Sequence, residues 1–217
     1  MPHFLQHLSD ILFPRYCAGC GCWDTDVCSQ CYLLADSEPV LKAIDDSSGV
    51  PTIPIWALGA YRKELRNLIL TAKHAATHRL DSFLWLAGTR LGAAISDDVH
   101  NHPVWVVPAP SSWKRRWQRR HVTPIVARGV VAGLSEMGID AWLADIVRLR
   151  FGAGAQSSRS GELRRRGRRG AMKTTAIVPK GTLVVLVDDV MTTGATLAEM
   201  SHVMDPHVVS GAVLAYA

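Results

Sequence analysis

The sequence predicts an α/β protein: a mostly parallel sheet flanked by helices, with a small zinc-binding module at its N-terminal end. Three observations predict this. Residues 183–187, Leu-Val-Val-Leu-Val, are a short, continuous and largely β-branched apolar run, the pattern of a strand buried on both faces. Short apolar runs and helical periodicities then succeed one another between residues 55 and 216, as a layered α/β arrangement requires. Two Cys-x-x-Cys pairs, Cys17/Cys20 and Cys28/Cys31, lie together near the N-terminus.

The 217 residues, 48% of them hydrophobic, allow one medium domain with a real core and a small appendage. No apolar run reaches membrane-spanning length, so membrane insertion is not expected. No basic segment followed by an apolar one opens the chain, so a cytoplasmic location is expected. The net charge of +5 is unevenly spread. Residues 113–173 hold fifteen Lys and Arg against four Asp and Glu, while the rest of the chain is net acidic. Such a block points to an anionic partner, either a polyphosphate or a nucleic acid.

In chain order, residues 1–16 place Phe4, Leu5, Leu8, Ile11, Leu12 and Phe13 at helical spacing, with Pro14 as the stop. The two cysteine knuckles follow. Four thiolates in this spacing can surround one Zn²⁺ tetrahedrally, and Gly19 and Gly21 suit the tight turns. Scattered buried thiols and disulfides are the alternatives, and disulfides need an oxidising compartment. Cys22 is either a spare thiol or a replacement ligand. The predicted organisation is therefore a helix and double-knuckle zinc module over residues 1–35, an acidic linker over 36–54, and the main domain over 55–217.

In that domain, residues 55–61 read as a strand and 63–73 as a helix with Leu65, Leu68, Ile69 and Ala72 on its apolar face. Lys73 and His74 close this helix, where cations offset the dipole; a ligand contact is the second reading. Residues 81–95 read as a largely apolar, buried helix and 104–107 as a core strand. The turn 108–112 leads into a cationic run, Trp-Lys-Arg-Arg-Trp-Gln-Arg-Arg-His, at 113–121. Lys114, Arg116 and Arg120 are candidates for a pyrophosphate contact. Single-stranded nucleic acid stacking on Trp113 and Trp117 is a rival, and so is a solvated helix face with both Trp turned inward. Residues 122–134 read as a helix and 144–149 as a strand. The Gly-, Ser- and Arg-rich segment that follows reads as a basic lid or as a basic loop without catalytic duty. Residues 208–216 supply the last strand.

The stretch 183–200 organises the rest. The buried strand is followed by Asp188 and Asp189, a turn of Thr192, Thr193 and Gly194, and a helical run from Ala195. A helix N-terminus offers unpaired N–H groups and a positive dipole end, which suits phosphate. Carboxylates only accept hydrogen bonds, so the two Asp suit sugar hydroxyls or a hydrated Mg²⁺. An ordinary strand-to-helix loop with Thr caps is the alternative.

The order Asp-Asp-x-x-Thr-Thr-Gly-x-Thr after an apolar strand resembles the phosphoribosyl pyrophosphate (PRPP) motif of type I phosphoribosyltransferases. The wider pattern is similar to the competence protein F (ComF) family. That pattern comprises Leu12-Phe13-Pro14 before the double knuckle, the segment 61–74, the segment 106–120, and Gln156 with Arg164, Arg165 and Arg166. The resemblance implies a phosphoribosyltransferase-like fold with an N-terminal zinc knuckle, PRPP as ligand and Mg²⁺ with it. It implies that Asp188 and Asp189 hold the ribose hydroxyls. The loop of Met191, Thr192, Thr193, Gly194, Ala195 and Thr196 would hold the 5′-phosphate, with Val190 also among the PRPP-binding residues. The implied activity is transfer of ribose 5-phosphate to a nucleobase or amine; the alternative is a non-catalytic competence adaptor that binds single-stranded DNA or a helicase. The chain departs from the family at Arg120-His121-Val122-Thr123, at Ala155 and at Gly167, all on the pyrophosphate and lid side.

Overall fold

The computed structural model describes residues 15–43, 53–74, 78–110, 122–150 and 170–217. The expected N-terminal helix up to residue 14, the linker residues 44–52, the cationic run with Lys114, Arg116 and Arg120, and the segment 151–169 with Gln156 and Arg164–Arg166 lie outside the described residues.

A single-turn helix α1 (Ser29–Tyr32) runs into a 3-10 turn (Leu33–Asp36) and then strand β1 (Val40–Ala43). Strand β2 (Pro54–Ala60), helices α2 (Lys63–His74) and α3 (Asp81–Ile95), strand β3 (Val104–Pro108) and helix α4 (Val122–Glu136) follow. Strands β4 (Ala141–Leu143), β5 (Val147–Leu149), β6 (Met172–Thr174) and β7 (Leu183–Met191), helix α5 (Ala195–Met204) and strand β8 (Val208–Tyr216) complete the order. Six strands form one sheet in the order β1-β2-β8-β7-β3-β4, and β5 and β6 pair separately. β1 is antiparallel to β2, and the other four pairings of the sheet are parallel.

The period of two in β7 divides the core between the two faces of the sheet. Val185 and Val187 belong to a core with α2, α3 and α4. Val184 and Leu186 belong to a second core with Leu197, Met200 and Met204 of α5 and with Val147 and Met172 of the β5–β6 pair. A strand covered on both faces needs apolar residues at every position, so residues 183–187 carry no polar alternation.

The first core is closed by a seam of glycines. Cβ atoms built on Gly88 and Gly92 of α3 would lie 2.2 and 2.3 Å from the carbonyl oxygens of Val126 and Val130 of α4, and Gly129 and Gly133 meet α3 as closely. The two helices therefore touch backbone to backbone, which only residues without a Cβ permit. At the amino end of the sheet, Asp98 accepts hydrogen bonds from Trp56 Nε1 at 2.7 Å and Ser210 Oγ at 2.8 Å. That clasp joins β2, β8 and the turn after α3 far along the strands from the carboxyl ends.

The structure departs from the sequence expectations at three places. Val40–Ala43 forms a strand inside the stretch read as a linker. It is a short edge strand with a lysine, which carries no apolar alternation to announce it. The strand expected at 144–149 is only the short β5 at Val147–Leu149, in a separate two-stranded sheet, and β4 at Ala141–Leu143, just before it, was not expected. Trp142 is half exposed at the sheet edge, so burial does not mark β4 in the sequence. β7 continues to Met191, so both acids lie within the strand and not after it.

Candidate functional site

The topology fixes where a ligand fits. The chain leaves β3 through α4 to β4 on one side, and leaves β7 through α5 to β8 on the other. β3 and β7 are neighbours, with Pro108 opposite Val187. Their carboxyl ends therefore diverge at a topological switch point, where open α/β sheets form their ligand crevice. The backbone N–H of Ala109 extends the pairing by donating to the Val187 carbonyl at 2.7 Å, which seats the start of the loop after β3 beside β7.

At this point a solvent-open recess is lined by Asp188, Val190 and Met191, by Thr192, Thr193 and Gly194, and by Ala195, Thr196 and Leu197 of the first α5 turn. Gly194 caps α5 with φ of 68°, in the left-handed region where a Cβ is disfavoured. That conformation turns the strand sharply into the helix and leaves the helix N-terminus facing the recess, where its dipole end favours an anion. Leu197 is buried in the second core and so fixes the helix start against the sheet. Glu199, buried on the next turn, accepts from the Met172 backbone N–H at 3.4 Å and ties α5 to β6.

The two acids do not share one environment. Asp188 lines the recess, and its Oδ1 accepts the backbone N–H of Asp189 at 2.8 Å. Asp189 is not among the lining residues. Its Oδ1 is 2.8 Å from Nζ of Lys73, in the last turn of α2. The β7 period accounts for the split, since Asp189 is in phase with Val185 and Val187, which face α2. Lys73 was weighed in the sequence mainly as a cation offsetting the α2 dipole. Its partner is 116 residues away, so no local spacing signals the pair.

The cysteines form the second constellation. The sulfurs of Cys17, Cys20, Cys28 and Cys31 all lie within 4.8 Å of one another, and Cys20 Sγ is 3.6 Å from Cys28 Sγ. A tetrahedral ion with bonds of about 2.3 Å needs sulfurs about 3.8 Å apart, so the donor set fits a metal ion such as zinc. A turn closed by the Gly21 N–H to Cys17 carbonyl bond and a bridge between Tyr16 and Trp23 shape the first knuckle; α1 presents Cys31 in the second. The Cys28 backbone N–H donates to Cys17 Sγ at 3.3 Å.

Burial raises the Cys17 thiol, but the backbone N–H groups of Cys28, Cys20 and Gly19 outweigh it and lower the thiol to about 6. Burial, and after it Cys17, pushes Cys31 up. The backbone at Cys31 lowers Cys28. Cys22, exposed and outside the four-sulfur group, is pushed up to about 12, first by its hydrogen bond to Cys20. The four thiols that the Cys-x-x-Cys spacing groups are thus the four that the fold brings together.

α2 touches both constellations. Asn67 Nδ2 donates to the Gly19 carbonyl at 2.9 Å, and a Cβ on Gly19 would sit 2.6 Å from Cys31 Sγ and 3.3 Å from Leu68 Cγ. Cys17 and Cys31 share a core with Leu65, Leu68 and Phe83. Arg79 pairs with Asp26 at 3.1 Å and Tyr32 meets the edge of the Phe83 ring, so the knuckles are packed on α2 and α3.

Among the described residues, no helix is long and apolar enough to cross a membrane. No model of a known protein family matches the chain, and no curated protein matches it.

Proposed function

We propose that the protein binds PRPP or a related phosphorylated ribose at the carboxyl end of β7 and acts as a phosphoribosyltransferase of the ComF kind. One observation carries this reading: Asp188, the Thr-Thr-Gly turn and the first turn of a ten-residue helix line a single recess at the switch point of a parallel sheet. The backbone N–H groups at the start of α5 and the hydroxyls of Thr192, Thr193 and Thr196 would take the 5′-phosphate. The Asp188 carboxylate would accept hydrogen bonds from the ribose hydroxyls.

In the transfer, the bond from the anomeric carbon to pyrophosphate breaks and the electron pair leaves with pyrophosphate. A nitrogen of a nucleobase or amine then bonds to that carbon through its lone pair and gives up its proton to water. The chain needs no covalent nucleophile for this; it supplies positioning and charge stabilisation. The acid pair does not offer both carboxylates to one cation, since Asp189 is engaged by Lys73. Mg²⁺ is therefore proposed as the counter-ion of PRPP and not as a resident of the protein. Zinc on Cys17, Cys20, Cys28 and Cys31 is proposed as structural, because four thiolates leave no open coordination position.

Titration calorimetry with PRPP and Mg²⁺ tests the reading. The intact protein is expected to bind, and Asp188→Ala to abolish binding. An intact protein that gives no heat at millimolar PRPP overturns it.

A further inference from the structure

In sequence, Asp188 and Asp189 read as one unit. In the fold they face different partners, and the partner of Asp189 is held from outside the site. Leu65, Leu68 and Ile69 bury one face of α2 in the core, and Asn67 fastens the helix to the Gly19 carbonyl. The end of α2 is therefore fixed, and Lys73 reaches β7 from a rigid base. Its side chain is 21% exposed and that of Asp189 14%, so the 2.8 Å contact is largely withdrawn from water. A lysine that only offset the helix dipole would point at the last carbonyls of α2; this one crosses to a strand carboxylate. One residue back, the Asp189 backbone N–H holds Oδ1 of Asp188 at 2.8 Å.

We propose that Lys73 is a positioning residue of the ligand site. It fixes Asp189, whose backbone N–H aims the Asp188 carboxylate into the recess, and Asp188 is the one acid of the pair that contacts the ribose hydroxyls. This inference rests on the phosphorylated-ribose reading. Without Lys73, Asp189 becomes a poorly solvated carboxylate next to a second carboxylate, with no other cation paired to it among the described residues. The strand end then relaxes, and Asp188 loses its fixed direction.

The test is PRPP affinity by calorimetry, with thermal melts recorded alongside. Lys73→Met is expected to weaken PRPP about tenfold, and Asp189→Asn about as much, as for loss of one charged hydrogen-bonding partner. The double variant is expected to be no weaker than either single one, because both remove the same pair. Lys73→Arg is expected to restore affinity to within about threefold of the intact protein, since a second cation can make the same bond. A role in folding alone would lower the melting temperature without this rescue and without this lack of additivity. Wild-type affinity in Lys73→Met, or losses that multiply in the double variant, overturns the inference while the ribose reading stands. If Lys73→Met does not fold, Asp189→Asn and Lys73→Arg decide in the same way. An intact protein that does not bind PRPP overturns the ribose reading and this inference together.

Discussion

The cysteine cluster and the acid pair are built in opposite ways. All four clustered thiols come from residues 17 to 31, and the two Cys-x-x-Cys spacings nearly suffice to bring them together. The acid pair is just as local in sequence, yet the fold separates its members: Asp188 lines the recess and Asp189 goes to Lys73, 116 residues away. The contrast teaches that proximity in sequence assembles a site when the backbone turns, as at the knuckles. It divides a site when the backbone is extended, as in β7, where neighbours face opposite ways. α2 joins the two regions, with Asn67 on the knuckle and Lys73 on the acid.

Three substitutions would break or sharpen this contrast. The largest effect is expected from Cys31→Ser. Cys31 is 2% exposed in the core beside Leu68, so the change removes one of the four thiols that could hold a metal ion and buries a hydroxyl. Stability should fall by about 4 kcal/mol or more, as for other losses of a structural metal. Differential scanning calorimetry and metal analysis would read it; an unchanged melt would show that the cluster does not support the fold.

Gly88→Ala comes next. It drives a Cβ into the Val126 carbonyl of α4, a backbone atom that cannot rotate away. A cost of about 2 kcal/mol is expected from overpacking, read by denaturant melts, with the content of any bound metal unchanged. A neutral or stabilising result would mean that the α3–α4 seam has slack.

Asn67→Ala is the smallest and the most informative. It removes the bond from α2 to the Gly19 carbonyl at a cost of about 1 kcal/mol. If α2 transmits the position of the knuckle to Lys73, PRPP binding should weaken in the direction of Lys73→Met, but less. Unchanged binding by calorimetry would show the two regions to be independent.

Much of this was legible in advance. Residues 183–187 announced a strand buried on both faces, and the Thr-Thr-Gly turn announced the start of α5, because both signals are local. β1, read as part of a linker, and β4, given no reading, were missed for the reverse reason: edge strands keep exposed residues and carry no burial pattern. The role of Lys73 was hidden because a lysine at a helix end has an adequate local explanation. The glycines of α3 and α4 carry no local signal of their role, and only the meeting of the two helices explains them.

The sequence by itself therefore determined the α/β class, the four-cysteine cluster and the loop that opens α5, all of which follow from spacing within a few residues. The tertiary structure decided the strand order, the switch point between β3 and β7, the close α3–α4 seam and the separation of Asp188 from Asp189. The physical reason is the same for each. These features depend on which segments meet across the sheet, and that is settled by burying both faces of β7 at once, a requirement no short stretch of the chain states alone.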